Sequence, residues 1–188
     1  QTADRYRTRS FISVPLKEQK KLALRFVSQN LWGVTFINAN TWTVVGDAGT
    51  ILRTIDAGIS WDSQSSGTIS DLRGVYFVNV DTGIVVGHSG TILKTTNGGT
   101  TWTSQTSGTP PKFWGVSFID ANTGMVVGDA GTILKTADAG TTWTSQTIGT
   151  QNLWGVTFIN ANTWMVVGDA GTILKTADAG STWTSQTI

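Results

Sequence analysis

The sequence predicts an all-β fold, a β-propeller-type array of four four-stranded antiparallel blades with an N-terminal extension. Three observations predict it. A unit of about forty residues recurs from Leu31 onward. Each unit holds four short stretches rich in β-branched and aromatic residues, and glycine-containing turns separate those stretches. The units open with LWGVTFIN at Leu31, LRGVYFVN at Leu72, FWGVSFID at Phe113 and LWGVTFIN at Leu153, at spacings of 41, 41 and 40 residues. The expected boundaries are 1–30 for a basic arm and 31–71, 72–112, 113–152 and 153–188 for the blades.

Within a unit the first stretch alternates Leu31, Gly33, Thr35 and Ile37 with Trp32, Val34, Phe36 and Asn38, so both faces are largely apolar, as in a strand held between neighbouring sheets. The second stretch, TWTVVG, and the third, TILRT, are joined by Asp47-Ala48-Gly49, a short connection suited to a hairpin. The fourth begins at Ser60-Trp61 and runs through Gln64. No unit contains a helix-period segment, which excludes a helical solenoid.

The 188 residues carry 39% hydrophobic and 13% charged residues, with 22 Gly, 9 Trp and no Cys. Disulfides and thiolate metal sites are therefore excluded. No run of eighteen apolar residues occurs, so no membrane-spanning helix is expected, and the start of the sequence lacks an export-signal pattern. The formal net charge of +1 is unevenly spread. Residues 1–30 hold seven basic side chains against two acidic ones, a net +5, whereas the remainder holds six against ten, a net −4. An acidic body without a basic stripe disfavours nucleic acid as a partner.

Between the third and fourth stretches each unit repeats one pattern. The residues are Thr54-Ile-Asp56-Ala-Gly58-Ile-Ser60-Trp61, then Thr95 to Trp102 with Asn97 and Gly99, Thr136 to Trp143 with Asp138 and Gly140, and Thr176 to Trp183 with Asp178 and Gly180. A short carboxylate or amide accepts hydrogen bonds from the N–H groups of its own turn, glycine supplies a left-handed backbone angle, and the tryptophan buries a large ring. These residues are expected to be structural, and each tryptophan mostly buried. The pattern resembles the Asp-box, Ser/Thr-x-Asp-x-Gly-x-Thr-Trp, of bacterial neuraminidase repeat propellers, and the surrounding GDAGTILKTADAGTTW is most similar to photosystem II stability and assembly factor propellers. That resemblance implies a non-catalytic scaffold or an assembly factor that docks a partner, with the Asp-box away from any active site.

Catalysis is not expected. A sialidase-like site needs an arginine cluster, a Tyr/Glu pair and an acidic acid/base. Here the one glutamate is Glu18, in the arm, and the tyrosines are Tyr6 and Tyr76. His88 replaces the aspartate found at Asp47, Asp129 and Asp169, which reads as a substituted turn residue. No cofactor or metal is expected, because aspartates forty residues apart form no cation loop.

Arg53, Lys94, Lys135 and Lys175 occupy one position in successive third stretches. They are expected to pair with Asp47, Asp129 and Asp169; the sharper alternative is a binding ring for an acidic partner or an anionic glycan. The arm offers Phe26-Val-Ser-Gln29, similar to a fourth strand, a second extended candidate over residues 10–14, and helix-favouring residues over 17–27. Four blades allow a closed small ring, an open arc joined to a second copy, or a stack linked by the arm. The expected function is a non-catalytic structural or interaction scaffold, self-assembling as an oligomer or filament through the arm, outside the cell or on its surface. The alternative is a propeller module docking a protein or glycan on one rim, in the periplasm or thylakoid lumen.

Overall fold

The computed structural model describes residues 29–108 and 111–186, so the strand and helix expected in the arm lie outside the described residues. Among the described residues sixteen strands form four antiparallel sheets, each a meander of strands consecutive in sequence. The first blade comprises β1 (Leu31–Phe36), β2 (Trp42–Gly46), β3 (Ile51–Thr54) and β4 (Asp62–Gln64). The second comprises β5 (Leu72–Phe77), β6 (Gly83–Gly87), β7 (Ile92–Thr95) and β8 (Thr103–Gln105). The third comprises β9 (Phe113–Phe118), β10 (Gly124–Gly128), β11 (Thr132–Thr136) and β12 (Thr144–Thr147), and the fourth β13 (Leu153–Phe158), β14 (Trp164–Gly168), β15 (Ile173–Thr176) and β16 (Thr184–Ser185).

The β2–β3 hairpin closes because Ala48 and Gly49 both take left-handed angles, φ 52° and 72°, the backbone twist that two-residue hairpins favour. The same pair recurs at Ser89-Gly90, Ala130-Gly131 and Ala170-Gly171. Cross-strand register then sorts each blade into two faces. Val34, Val44 and Leu52 stand opposite one another on a leading face, while Gly33, Val45, Ile51 and Gln64 line a trailing face.

The core lies between blades. Val45 and Ile51 on the trailing face of the first blade pack with Leu72, Val75 and Phe77 on the leading face of the second, and the pattern repeats at the next two boundaries. The first strand of each blade (β1, β5, β9 and β13, here called strand a) approaches strand a of the next through a glycine: a Cβ at Gly115 would stand 2.8 Å from the Trp154 carbonyl oxygen.

At the two ends these faces are uncovered. Phe36 is 67% exposed where its equivalent Phe77 is 8% exposed, and Val167 is 46% exposed where Val127 is fully buried. Consecutive blades pack closely, and among the described residues the first and fourth blades share no comparable contact. The four described blades form an open arc, and any link through the arm lies outside the described residues.

The expectation that every Asp-box tryptophan is mostly buried needs correction at Trp61, which is 38% exposed, whereas Trp102, Trp143 and Trp183 pack against the core between blades. Their rings lie over the blade edge, where a preceding blade covers Trp102, Trp143 and Trp183 but none covers Trp61.

Candidate functional site

Each Asp-box turn is held by its own side chains. Thr54 Oγ1–H donates to Asp56 Oδ1 at 2.7 Å, and Ser60 donates to the two carboxylate oxygens through its N–H (2.9 Å) and its hydroxyl (2.6 Å). Gly58 N–H donates to Thr54 Oγ1 at 3.0 Å, with Gly58 at φ 86°. Hydrogen bonds from Ser60, first from its hydroxyl and then from its N–H, hold Asp56 down at about 2, and Thr142 does the same for Asp138. Asp178 is lowered likewise by Thr182. In the second blade Asn97 keeps the geometry by accepting Thr101 N–H at Oδ1 and donating from Nδ2 to Thr101 Oγ1, each at 2.9 Å.

The cationic series does not meet the aspartates. Arg53 donates to the Gly98 carbonyl at 2.5 Å, Lys94 to Thr141 Oγ1 at 3.0 Å and Lys135 to the Ala179 carbonyl. Each thus ties its strand to the Asp-box turn of the following blade. Lys175, on the last blade, is exposed.

Asp47, Asp129 and Asp169 are instead engaged by indoles. The pairing register slips at the second residue of each strand a, between Leu31 and Gly33, Leu72 and Gly74, and at the equivalent points of the other blades. The slip leaves Trp32, Arg73, Trp114 and Trp154 as bulge residues, whose side chains are re-aimed out of the sheet. Trp32 Nε1–H donates to Asp47 Oδ1 at 2.5 Å, Trp114 to Asp129 at 2.6 Å and Trp154 to Asp169 at 2.5 Å. Asn30 and Asn152 occupy the second oxygens of Asp47 and Asp169 at 2.8 and 3.0 Å. The Trp32 hydrogen bond is the main reason Asp47 titrates below the ordinary carboxylate range.

In the second blade donor and acceptor change together. Arg73 Nε–H donates to His88 Nε2 at 3.1 Å, so neutral His88 carries its proton on Nδ1, 3.4 Å from Asp71 Oδ2. Burial, and then the Arg73 charge, hold His88 below the ordinary imidazole value.

The four bulge residues make a ladder along one rim. The Arg73 guanidinium lies 4.1 Å from the Trp32 ring and 5.5 Å from the Trp114 ring, and Trp114 meets Trp154 at 4.5 Å between centroids. Asp71 braces Arg73 at 3.2 Å and Asp47 lies 3.7 Å away. Trp32 and Trp154, at the two ends, are about half exposed. Sequence reasoning passed over this ladder, although a signal existed. A Trp stands fifteen residues before each turn Asp, and in the second unit Trp and Asp change together to Arg and His.

Among the described residues no cluster of acidic or histidine side chains has metal-binding geometry, and no helix is long and apolar enough to cross a membrane. The ladder sets flat aromatic faces and one cation beside a row of carboxylates.

Comparison with known proteins bears on both fold and family. No curated protein matches the sequence. Among solved structures, YCF48 from Cyanidioschyzon merolae superposes with a TM-score of 0.68 at 19% identity, over 85% of this chain and 56% of that one. A structure of YCF48 bound to D1 peptide superposes at 0.58 and 16% identity, over 85% of this chain and 82% of that one. An ancestral GH74 enzyme matches at 0.69 and 18% identity, over 81% of this chain but 23% of its own length. At these identities the structures establish the propeller fold alone, and this chain spans little more than half of the Cyanidioschyzon protein. The family model of the photosynthesis system II assembly factor YCF48 matches residues 14–108 and 108–188, and the chain belongs to that family.

Proposed function

We propose that this protein is a non-catalytic docking module that binds an extended segment of a partner protein across the Trp32–Arg73–Trp114–Trp154 rim, in the manner of an assembly factor. The observation that carries the reading is the ladder itself, in which a guanidinium oriented by Asp71 and His88 lies between the Trp32 and Trp114 rings, with the half-exposed indoles of Trp32 and Trp154 at the two ends. Aromatic residues and arginine held in place before binding are the residue types that dominate protein contacts. Four carboxylates, Asp47, Asp71, Asp129 and Asp169, border the ladder, so the preferred segment carries lysine or arginine among apolar side chains. The family supports a protein partner, since one solved YCF48 holds a D1 peptide.

The non-catalytic part rests on chemistry. Glu18 is the one glutamate, and the rim's carboxylates, Arg73 and His88 are occupied in hydrogen bonds to indoles, asparagines or one another. The likeness to GH74 enzymes extends to the fold. Of the compartments expected from the sequence we favour the periplasm or thylakoid lumen, because the family's task is photosystem assembly.

The test is fluorescence anisotropy with labelled peptides of basic-apolar, neutral and acidic composition. Binding of the basic-apolar peptides is expected, weakened about tenfold or more by Trp32→Ala or Trp154→Ala, the usual consequence of truncating an aromatic anchor. Equal binding by the variants, or selective binding of acidic peptides, contradicts the proposal.

A further inference from the structure

We infer, resting on the docking reading above, that His88 is a proton-operated latch on Arg73: protonating the imidazole frees the guanidinium from the ladder and weakens the rim's hold on a basic-apolar segment. Arginine stays protonated in a folded chain, so Arg73 Nε–H is a permanent donor and its partner must supply a lone pair. His88 Nε2 supplies it at 3.1 Å, and that lone pair is the place an incoming proton takes. Neutral imidazole closes the contact. Imidazolium has only N–H groups to set against the guanidinium.

The other three blades are built differently at this point. Trp32, Trp114 and Trp154 donate to the carboxylates of Asp47, Asp129 and Asp169, and Asp47 titrates below the ordinary carboxylate range. A carboxylate that stays charged keeps its indole through neutral and mildly acidic solution. The second blade alone places here a group that changes charge between about pH 5 and about pH 8. His88 is also the single histidine of the sequence.

Protonation acts on two anchors of Arg73 at once. The Nε2 acceptor is lost, and the second anchor, Asp71 Oδ2, is shared: it accepts Arg73 Nη2 at 3.2 Å and lies 3.4 Å from His88 Nδ1. A charged imidazolium draws that oxygen more strongly than the neutral ring does, and it sets a second cation beside the guanidinium. On the side of the first blade, Asp47 stands 3.7 Å from Arg73, with its oxygens already taken by Trp32 and Asn30. From the third blade Lys112 opposes the proton, Asp129 favours it, and the Trp114 ring meets the imidazole edge to face at 5.2 Å. Burial, and then the Arg73 charge, oppose the proton most, so the latch opens below the ordinary imidazole value. The imidazole is partly exposed, which lets the proton reach it without unfolding.

The rim feels the change because Arg73 bridges two of its indoles, 4.1 Å from the Trp32 ring and 5.5 Å from the Trp114 ring. Its release interrupts the run of flat faces. The rim also gains a positive charge among the carboxylates that would receive a lysine or arginine of the partner, which lowers the affinity for a basic segment. Linkage makes the effect reciprocal: a bound basic segment makes His88 harder to protonate by the same factor.

A single histidine makes the test direct. Nuclear magnetic resonance on the 188-residue chain follows the His88 imidazole, the Arg73 Nε–H and the Trp32 indole N–H from about pH 8 until the imidazole signal stops moving. Trp32 is the reporter because the guanidinium lies over its ring, whereas the imidazole lies against Trp114. The Arg73 and Trp32 signals are expected to move with the imidazole's midpoint. Across that titration the affinity for a histidine-free basic-apolar peptide is expected to fall about fivefold or more, the scale of an ordinary coupling between two binding events, and saturating peptide is expected to lower the midpoint. His88→Asp gives the second blade the carboxylate of the other three turns, and its peptide affinity is expected to stay level over the same interval. An imidazole that titrates while Arg73 and Trp32 stay in place overturns the inference in the unaltered chain, whatever the variant does. Equal peptide affinity on both sides of the titration overturns it too, as does a fall in affinity that persists in His88→Asp. Three signals sharing one midpoint in a chain that binds no peptide at any pH would uphold the latch and sink the docking reading.

Discussion

Trp102 donates its indole N–H to Gln64 Oε1 at 3.3 Å, across the boundary between the first and second blades. Trp183 does the same to Gln146, also at 3.3 Å, across the boundary between the third and fourth. At the middle boundary Gln105 turns back to the carbonyls of Thr103 and Ser104, and the buried Trp143 Nε1 has no partner. Trp143 thus differs from Trp102 and Trp183, although the sequence around the three is nearly the same.

Replacing Trp143 by Phe is therefore expected to cost less than replacing Trp102 by Phe, by about 1 kcal/mol, because only the second change leaves a paired group behind. Trp143→Ala, which removes the ring packed on Phe118, is expected to cost about 3 kcal/mol. Urea denaturation of the three variants gives the comparison, and equal losses for both Phe variants would contradict it.

Thr43 occupies a fully buried position on the first blade's trailing side, and its hydroxyl has no hydrogen-bond partner. The same position holds Ile84, Met125 and Met165 in the other units. Thr43→Val keeps the shape and removes the unpaired hydroxyl, so it is expected to raise stability by about 1 kcal/mol. Loss of stability in thermal melts would show that the hydroxyl is satisfied in solution.

The Asp-box carboxylates make stability fall in acid. Asp56 and Asp138 are lowered from 3.8 to about 2 by hydrogen bonds within their turns. The folded chain therefore holds its protons less tightly than the unfolded chain, and the contribution is complete above the unfolded value near pH 3.8. It is lost as pH drops through the folded value near 2. Asp138→Asn imitates Asn97, which keeps its turn without a charge. The variant's stability is expected to fall less steeply than the unaltered protein's between pH 4 and pH 2. Parallel curves would contradict this.

The blades were legible in the sequence because their signals are local. The β2–β3 hairpin turns on two residues of positive φ, and Ala48-Gly49 with its counterparts marks that turn in each blade. The Asp-box is legible for the same reason, since the side chains of Thr54, Asp56 and Ser60 and the Gly58 N–H bond within the turn itself. The ladder was not legible from strict alternation, which sets Leu31 and Val34 on opposite faces. A bulge at Trp32 shifts the phase by one residue, so that Leu72 joins Val75 and Phe77 in one core and the bulge residue leaves the sheet. The destination of Arg53, Lys94 and Lys135 depends on how one blade sits on the next. A single repeat carries no trace of it.

The most direct measurement of the rim's role is a nitrogen-15 correlation spectrum of the indole N–H groups during titration with a basic-apolar peptide. The nine tryptophans divide into rim residues (Trp32, Trp114, Trp154), Asp-box residues (Trp61, Trp102, Trp143, Trp183) and the packed pair Trp42 and Trp164. The docking account predicts that the three rim signals shift together and saturate at one affinity, while the Asp-box signals stay in place. Shifts confined to the Asp-box signals, or a spectrum unchanged at saturating peptide, would contradict it.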